Sequence, residues 1–355
     1  MILTGDVMKK LRSLEEESVQ CCVTSPPYWG LRNYGVAGQL GLEPTIDLYI
    51  AHLVEVFREV RRVLKSDGTL WLNLGDSYAT GAGKACSPGG GYRGAHAPDP
   101  KLAKWAGPFQ QPNRMPQAGL KPKDLCMIPA RAALALQADG WWLRSEIIWH
   151  KPNPMPESIR DRPTKSHETI YLLSKSARYY YDADAIKEPF QTSAKENYPG
   201  RARITGRGDQ SAAAARGNDR DKSGGFPPRK GSGNITRKLA DGSDSRLNTH
   251  LGRGVPYEYA EHTGRNCRSV WTIATKPFKG AHFATFPPKL IEPCILAGSR
   301  IGDVIMDCFA GACTTGLVAQ QHGREFLGIE LNPAYVAMGK ARLLAAAPKL
   351  KVLTA

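Results

Sequence analysis

The sequence predicts an α/β protein: a doubly wound, mostly parallel sheet interrupted by two long irregular tracts. Three observations carry that prediction. Apolar runs of strand length alternate with segments of helical apolar spacing over 1–77 and again over 285–347. In the second of these stretches two strand-like runs flank a turn of small residues and a helix, the pattern of a βαβ unit. Between them lie stretches so rich in Gly, Pro, Ser and basic residues that they read as insertions rather than parts of a sheet.

Taken in order, Ile2-Leu3 opens a first short strand that ends at Gly5-Asp6, and Cys21-Cys22-Val23 closes an apolar strand. Asp47 to Leu64 has the apolar spacing of a helix (Leu48, Ala51, Val54, Phe57, Val60), and Lys65-Ser66-Asp67-Gly68 reads as its stop and a turn. Thr69 to Leu74 is a buried-strand run. Residues 78–123 break the pattern, with 8 Gly, 7 Pro and seven Lys/Arg against a single acid, Asp99, and read as a basic loop or lid. A helix over Pro129–Ala138 stops at Asp139-Gly140. Strands follow over Trp142–Trp149 and His167–Leu173, and Trp141-Trp142 is expected in the core. Over 191–260 there are 13 basic and 7 acidic residues, a balance of +6 in a Gly- and Ser-rich tract too long for an idle connection. Strand, turn, helix and strand then return over Asp303–Glu330.

Composition narrows the function classes. The 355 residues include 48 Lys+Arg and 33 Asp+Glu, a formal net charge of +15, which favours a polyanionic partner. Mean hydropathy is -0.38, and no apolar run approaches the roughly 20 residues a bilayer needs, so no membrane role is expected. Met1 leads straight into Ile2-Leu3-Thr4-Gly5-Asp6 with no basic-then-apolar leader, and none of the eight cysteines forms a Cys-x-x-Cys pair. The expectation is a cytoplasmic protein without a structural metal or a disulfide framework.

Two constellations carry chemistry. In the first, the strand ending at Asp307 feeds the turn Cys308-Phe309-Ala310-Gly311-Ala312-Cys313-Thr314-Thr315-Gly316, and the next strand ends at Glu330, 23 positions after Asp307. In nucleoside-binding α/β folds an acid about 20 residues on accepts hydrogen bonds from ribose hydroxyls, and the small-residue turn admits the ligand to backbone amides. An ordinary βαβ unit would look similar. The second is Thr24-Ser25-Pro26-Pro27-Tyr28-Trp29 after an apolar strand end. Two prolines remove two N–H donors and stiffen the turn, so carbonyl oxygens and the Ser25 hydroxyl face outward as acceptors beside the Tyr28 ring. Acceptors for an exocyclic amine next to a flat ring suit an unstacked nucleobase, although most Pro-Pro turns only pack.

Together these motifs resemble those of the amino-methylating DNA methyltransferases that use S-adenosylmethionine. Thr24-Ser25-Pro26-Pro27-Tyr28 is similar to their Ser/Asp/Asn-Pro-Pro-Tyr/Phe catalytic motif, and Asp307–Thr315 to their Asp-Pro-Phe-x-Gly-x-Gly-Thr-Thr cofactor loop. His282-Phe283-Ala284-Thr285-Phe286-Pro287 resembles the segment that cups the methionine end of the cofactor. Leu327-Gly328-Ile329-Glu330 with Asn332-Pro333 and Tyr335 resembles the ribose-binding strand end, and Asp6 the acid that contacts adenine. Ile148-Trp149-His150-Lys151-Pro152-Asn153 and Ser166-His167-Glu168 add further likeness. The catalytic motif precedes the cofactor loop, which resembles the permuted beta group. The resemblance implies Ser25, Pro26, Pro27 and Tyr28 as catalytic, and Asp6, His282, Phe286, Asp307, Phe309, Gly311, Thr314, Thr315, Glu330 and Asn332 as cofactor-binding. It implies a Rossmann-like methyltransferase sheet in which 1–77 carries the catalytic motif, 78–123 is a basic Gly/Pro-rich loop and 124–189 continues the catalytic half. Residues 190–265 would then be a partly disordered target-recognition region, and 266–355 the S-adenosylmethionine-binding half.

The implied reaction is methyl transfer from S-adenosylmethionine to an exocyclic amine of a flipped base in double-stranded DNA. Ser rather than Asp before Pro-Pro leans towards cytosine N4, with adenine N6 as the alternative. An RNA or protein-amide methyltransferase and a non-catalytic DNA-binding relative are further rivals. Arg201, Arg203, Arg207, Arg216, Arg229 and Lys230 are candidate DNA contacts, as are Arg93 and Lys104 in a lid. A restriction endonuclease partner and a homodimer are also compatible with the resemblance. Two departures stand out: Cys308 replaces the loop's Pro, and Cys313 its third-position Gly. A side chain at 313 is expected to crowd the cofactor or shift the loop. Cys313 as a nucleophile is disfavoured, because ring-carbon methyltransferases hold theirs in a Pro-Cys motif that is absent here.

Overall fold

A computed structural model describes residues 1–31, 33–79, 119–189, 264–275 and 286–346, together with the backbone of 236–238 and 244–246. The chain divides into two compact units, Met1–Lys187 with Asn266–Ala355, and Glu188–Arg265.

The first unit is built on β1 (Ile2–Thr4), α1 (Val7–Arg12), β2 (Val19–Thr24), α2 (Ile46–Val63) and β3 (Leu64–Leu74). These are followed by α3 (Ile128–Ala138), β4 (Trp142–His150) and β5 (His167–Ser174). In the second unit β6 (Thr236–Lys238) pairs antiparallel with β7 (Asp244–Arg246). The first unit resumes with β8 (Val270–Thr272), α4 (Pro288–Gly298), β9 (Val304–Asp307), α5 (Thr314–Gln321), β10 (Glu325–Glu330) and α6 (Pro333–Ala346).

Eight strands form one sheet in the order β1-β10-β9-β2-β3-β5-β4-β8. Every neighbouring pair is parallel except the two made by β5. Both faces are covered, and strand periodicity assigns the residues. Cys22, Leu70, Leu72 and Met306 join one buried cluster with α2 and α3, while Cys21, Val23, Trp71 and Ile305 join the other with α4 and α5. Helix α2 shows why: Tyr49, Leu53, Phe57 and Val60 recur every three or four residues and are fully buried, each worth roughly 1.5–3 kcal/mol of apolar transfer. Thr45 caps its start by accepting from Leu48 N at 3.2 Å.

Two expectations need correction. Lys65–Gly68 is not a free turn: the backbone passes from α2 directly into β3, with a register irregularity opposite Val19 and Cys21. The packing dictates this, since a Cβ at Gly68 would sit 2.9 Å from the Lys65 carbonyl oxygen and 3.0 Å from that of Gln20. Only half of the tryptophan pair is core, for Trp141 is buried while Trp142 is 48% exposed on the strand's other face.

The 78–123 tract leaves and re-enters through a short backbone clasp, Ala79 N to Asp124 O at 2.9 Å and Cys126 N to Ser77 O at 2.9 Å. Asp76, just past β3, accepts from Ser77 N at 2.9 Å and from Ile128 N at 3.0 Å, supplying from a distance the cap that the left-handed Met127 does not provide for α3. Among the described residues no helix is long and apolar enough to cross a membrane, and no His/Cys/Asp/Glu cluster could hold a metal.

Candidate active site

In a sheet wound this way ligands are taken at the carboxyl ends of the strands. The ends of β1, β2, β9 and β10 converge there on a cavity of about 270 Å³, which the N-terminal end of the reversed strand β5 also reaches through Glu168.

One side of the cavity is a turn clamped by two acids, one buried and one half-buried. Asp307 ends β9. Its Oδ1 accepts from the Thr24 hydroxyl at 2.7 Å and from Phe309 N at 3.1 Å, and its Oδ2 accepts from the Thr315 hydroxyl at 2.7 Å. Burial holds its carboxyl above the usual carboxylate range, opposed by those three bonds. Glu330 ends β10. Its Oε2 accepts from Gly311 N at 2.8 Å and its Oε1 from Asn332 N at 2.7 Å, while burial raises its pKa as well. Asp6 caps α1 by accepting from Lys9 N at 3.0 Å, and Gly5 N donates to Glu330 O at 2.9 Å, so the β1 and β10 ends are tied together.

Asp6, Phe286, Asp307, Phe309, Gly311, Thr314, Glu330 and Asn332 all line the cavity. Thr315 does not: it is fully buried and serves Asp307 instead. His282 and the proposed DNA contacts Arg93, Lys104, Arg201, Arg203, Arg207, Arg216, Arg229 and Lys230 lie outside the described residues.

Cys313 departs from expectation. It takes the left-handed conformation that normally selects glycine, φ 56°, with its side chain turned from the cavity into the core. Helix α6 makes room at Gly339, where a methyl group would overlap the Cys313 sulfur and lie 3.2 Å from its Cβ. The crowding expected at the cavity therefore falls on α6. Burial pushes the Cys313 thiol up to about 12, which leaves it inert as a nucleophile. Arg342, also on α6, donates to the Ala312 carbonyl and to Thr314 Oγ1 at 3.3 Å, bracing the same turn.

Facing this turn are Ser25, Pro26, Pro27 and Tyr28. The Pro27 carbonyl accepts from the Tyr49 hydroxyl at 2.9 Å, which pins the turn to α2. The Tyr28 ring lies over Gly75, where a Cβ would come within 2.5 Å of it. Buried Trp29 donates to Glu43 O at 2.8 Å and supports the loop from behind. The Ser25 hydroxyl donates to Tyr28 Oη at 3.2 Å, and Tyr28 Oη donates to Glu168 Oε2 at 2.8 Å. Asn73 Nδ2 donates to both Tyr28 Oη and Glu168 Oε2, at 2.9 and 3.1 Å, and Lys151 pairs with Glu168 Oε1. Burial and the Glu168 charge hold the Tyr28 phenol well above its ordinary pKa, so it stays protonated.

Sequence reasoning assigned no role to Asn73, Lys151 or Glu168. Lys151 and Glu168 sat in recognisable motifs, but no spacing couples residue 168 to residue 25.

The residues suit a nucleoside carrying a charged tail. Each Glu330 oxygen keeps a second lone pair for a hydroxyl. Gly311, at φ 48°, opens the backbone at the wall, and Phe286, Phe309 and Tyr335 offer apolar surface. A doubly wound sheet with this acid-closed turn opposite a Pro-Pro turn defines the S-adenosylmethionine-dependent methyltransferase class. Comparison narrows it: a DNA methylase family model, of N6/N4 type, matches residues 19–341, and the chain belongs to that family. The Type II methyltransferase M.Cfr9I of Citrobacter freundii is 42% identical over 96% of this chain and 87% of its own length. The solved structure of the PvuII cytosine-N4-specific DNA methyltransferase superposes with a TM-score of 0.55 at 18% identity, over 96% of this chain and 85% of that one. That of the putative DNA modification methylase TTHA0409 from Thermus thermophilus, complexed with S-adenosyl-L-methionine, does so at 0.50 and 21% identity, over 98% and 95%. The protein is a DNA methyltransferase.

Proposed function

We propose that this protein is a Type II, site-specific methyltransferase acting on the exocyclic N4 amine of cytosine in double-stranded DNA, with the target base flipped into the cavity. The observation that carries the reading is that the acceptor turn at Ser25–Tyr28 and the nucleoside-fitting turn at Asp307–Glu330 line one cavity. Ser25, in place of the Asp found in many relatives of this motif, supports cytosine over adenine.

Bound S-adenosylmethionine supplies an electrophilic methyl group on its sulfonium. Glu330 and Asp6 would hold its hydroxyls and adenine, while Gly311, Phe309, Phe286, Thr314 and Asn332 line its bed, with Asp307 and Thr315 keeping that bed in shape. The amine is a poor nucleophile because its lone pair is delocalised into the ring. Accepting its N–H groups at Ser25 Oγ and the Pro26 carbonyl favours a pyramidal nitrogen and directs the freed lone pair at the methyl. Tyr28 shapes the base pocket.

Residues 190–265 are the proposed target-recognition region, with Arg201, Arg203, Arg207, Arg216, Arg229 and Lys230 as its DNA contacts and Arg93 and Lys104 contributing from the 78–123 loop. The Type II designation of M.Cfr9I supports a restriction endonuclease of matching specificity as functional partner.

The test is methylation of unmethylated genomic DNA with labelled S-adenosylmethionine, followed by nucleoside mass spectrometry. N4-methylcytosine is expected. N6-methyladenine would overturn the base assignment alone, and unmodified DNA would overturn the reading.

A further inference from the structure

The hydrogen bonds behind Ser25 have a forced direction. An ionised carboxylate only accepts, so Tyr28 must donate its proton to Glu168 Oε2, at 2.8 Å. With its proton committed, Tyr28 Oη can only accept from the Ser25 hydroxyl and from Asn73 Nδ2, at 3.2 and 2.9 Å. The Ser25 hydroxyl proton is thereby directed away from the cavity that Ser25 lines, and its lone pairs remain for a donor there. Asn73 is oriented by the same logic. Its Oδ1 is buried without a partner among the described residues, yet a flipped amide would set that oxygen against the Glu168 carboxylate. A buried group left unsatisfied beside the acceptor turn indicates that the network is held for its direction rather than for stability.

We propose that Glu168 is a positioning residue for methyl transfer: acting through Tyr28, it locks the Ser25 hydroxyl as an acceptor and receives the proton that the methylated amine releases. This rests on the proposed role of Ser25. After the N–C bond forms and the carbon–sulfur bond breaks, the nitrogen carries one proton too many. That proton passes to Ser25 Oγ as the Ser25 proton passes to Tyr28 Oη and the Tyr28 proton to Glu168. The amine ends neutral, Ser25 and Tyr28 are restored, and a neutral carboxylic acid remains beside Lys151. Tyr28 needs no phenolate in this sequence, in keeping with its strongly raised pKa. The charged groups acting on Glu168 are Lys151, which pairs with its other oxygen, and Lys165, whose own pKa burial lowers.

The experiment uses the full chain, unmethylated genomic DNA and saturating labelled S-adenosylmethionine, with rates followed across pH. Ser25→Ala should abolish transfer, and retained transfer would overturn the site reading and this proposal with it. Glu168→Gln keeps the shape but donates towards Tyr28, reversing the chain. Transfer should slow roughly ten- to hundredfold, the loss of one charge-assisted hydrogen bond. The KM for the cofactor should hold within about twofold, and the acid limb of the parent's pH–rate profile should disappear. Tyr28→Phe keeps the ring over Gly75 and removes the hydroxyl, so it should slow transfer similarly. It decides the matter should Glu168→Gln fail to fold by circular dichroism. Parental rates and pH profile in Glu168→Gln or Tyr28→Phe, with Ser25→Ala inactive, would refute the network and leave the site reading intact.

Discussion

Gly339→Ala should destabilise this protein although the substitution normally strengthens a helix. Ala gains about 0.5–1 kcal/mol over Gly in a helix interior. Here the added methyl would overlap the Cys313 sulfur and lie 3.2 Å from its Cβ, and Cys313 has nowhere to retreat because it is fully buried at φ 56°. Overpacking of this kind costs about 1–3 kcal/mol, for a net loss of about 0.5–2 kcal/mol and a fall in Tm on the order of 1–3 °C. Cys313→Gly alone should be close to neutral, since relief of the left-handed strain, about 1–2 kcal/mol, offsets the lost burial of a small thiol. The double variant should then recover the helix gain, and the cycle should show a coupling of about 1–3 kcal/mol. Thermal unfolding by circular dichroism measures all four proteins, and titration with S-adenosylmethionine should find Cys313→Gly within about twofold of the parent. Additive single effects would refute the packing argument. A severalfold change in cofactor affinity on Cys313→Gly would show that the thiol does influence the cavity.

Other perturbations probe the remaining walls of the site. Gly75→Ala would put a Cβ within 2.5 Å of the Tyr28 ring, so methyl transfer should slow at least tenfold while cofactor binding, read by titration, is retained. Arg342→Ala removes the brace on Ala312 and Thr314. It should weaken cofactor binding by roughly three- to tenfold, with the rate at saturation nearly unchanged. Asp307→Asn tests pH linkage. Burial raises the folded-state pKa of Asp307, so its contribution to stability is complete below the unfolded value of about 3.9 and is lost as pH rises through the folded value. The Tm of Asp307→Asn relative to the parent should therefore improve as pH rises from about 4 and level off above the folded value, and a flat or falling difference across the whole range would refute the assigned shift.

Much of the architecture was legible in the chain because local rules agreed with the global fold. The apolar spacing over 47–64 and the alternation over 142–149 marked α2 and β4 to within a residue or two, and Asp307 and Glu330 stood where strands end. Lys65–Gly68 misled because turn-forming residues were overridden by sheet pairing and by a glycine packed on the Gln20 and Lys65 carbonyls. Trp142 misled because one residue of a strand separates inside from outside.

The Pro-Pro turn, the acid-closed βαβ unit and the basic excess are matters of residue type and spacing, and one dimension suffices to state them. Pairings across long separations are not. Glu168 meets Tyr28 across 140 positions and Asn73 across 95, and Thr24 meets Asp307 across 283. Nothing local marks any of these residues for its partner. They come together because parallel strands distant in the chain end at one edge and the single reversed strand begins there, so β5 brings a carboxylate to the turn that β2 presents. Folding also made Cys313 tolerable. Its departure from the usual glycine was visible in the sequence, but only the packing of α6 supplies the matching vacancy at Gly339.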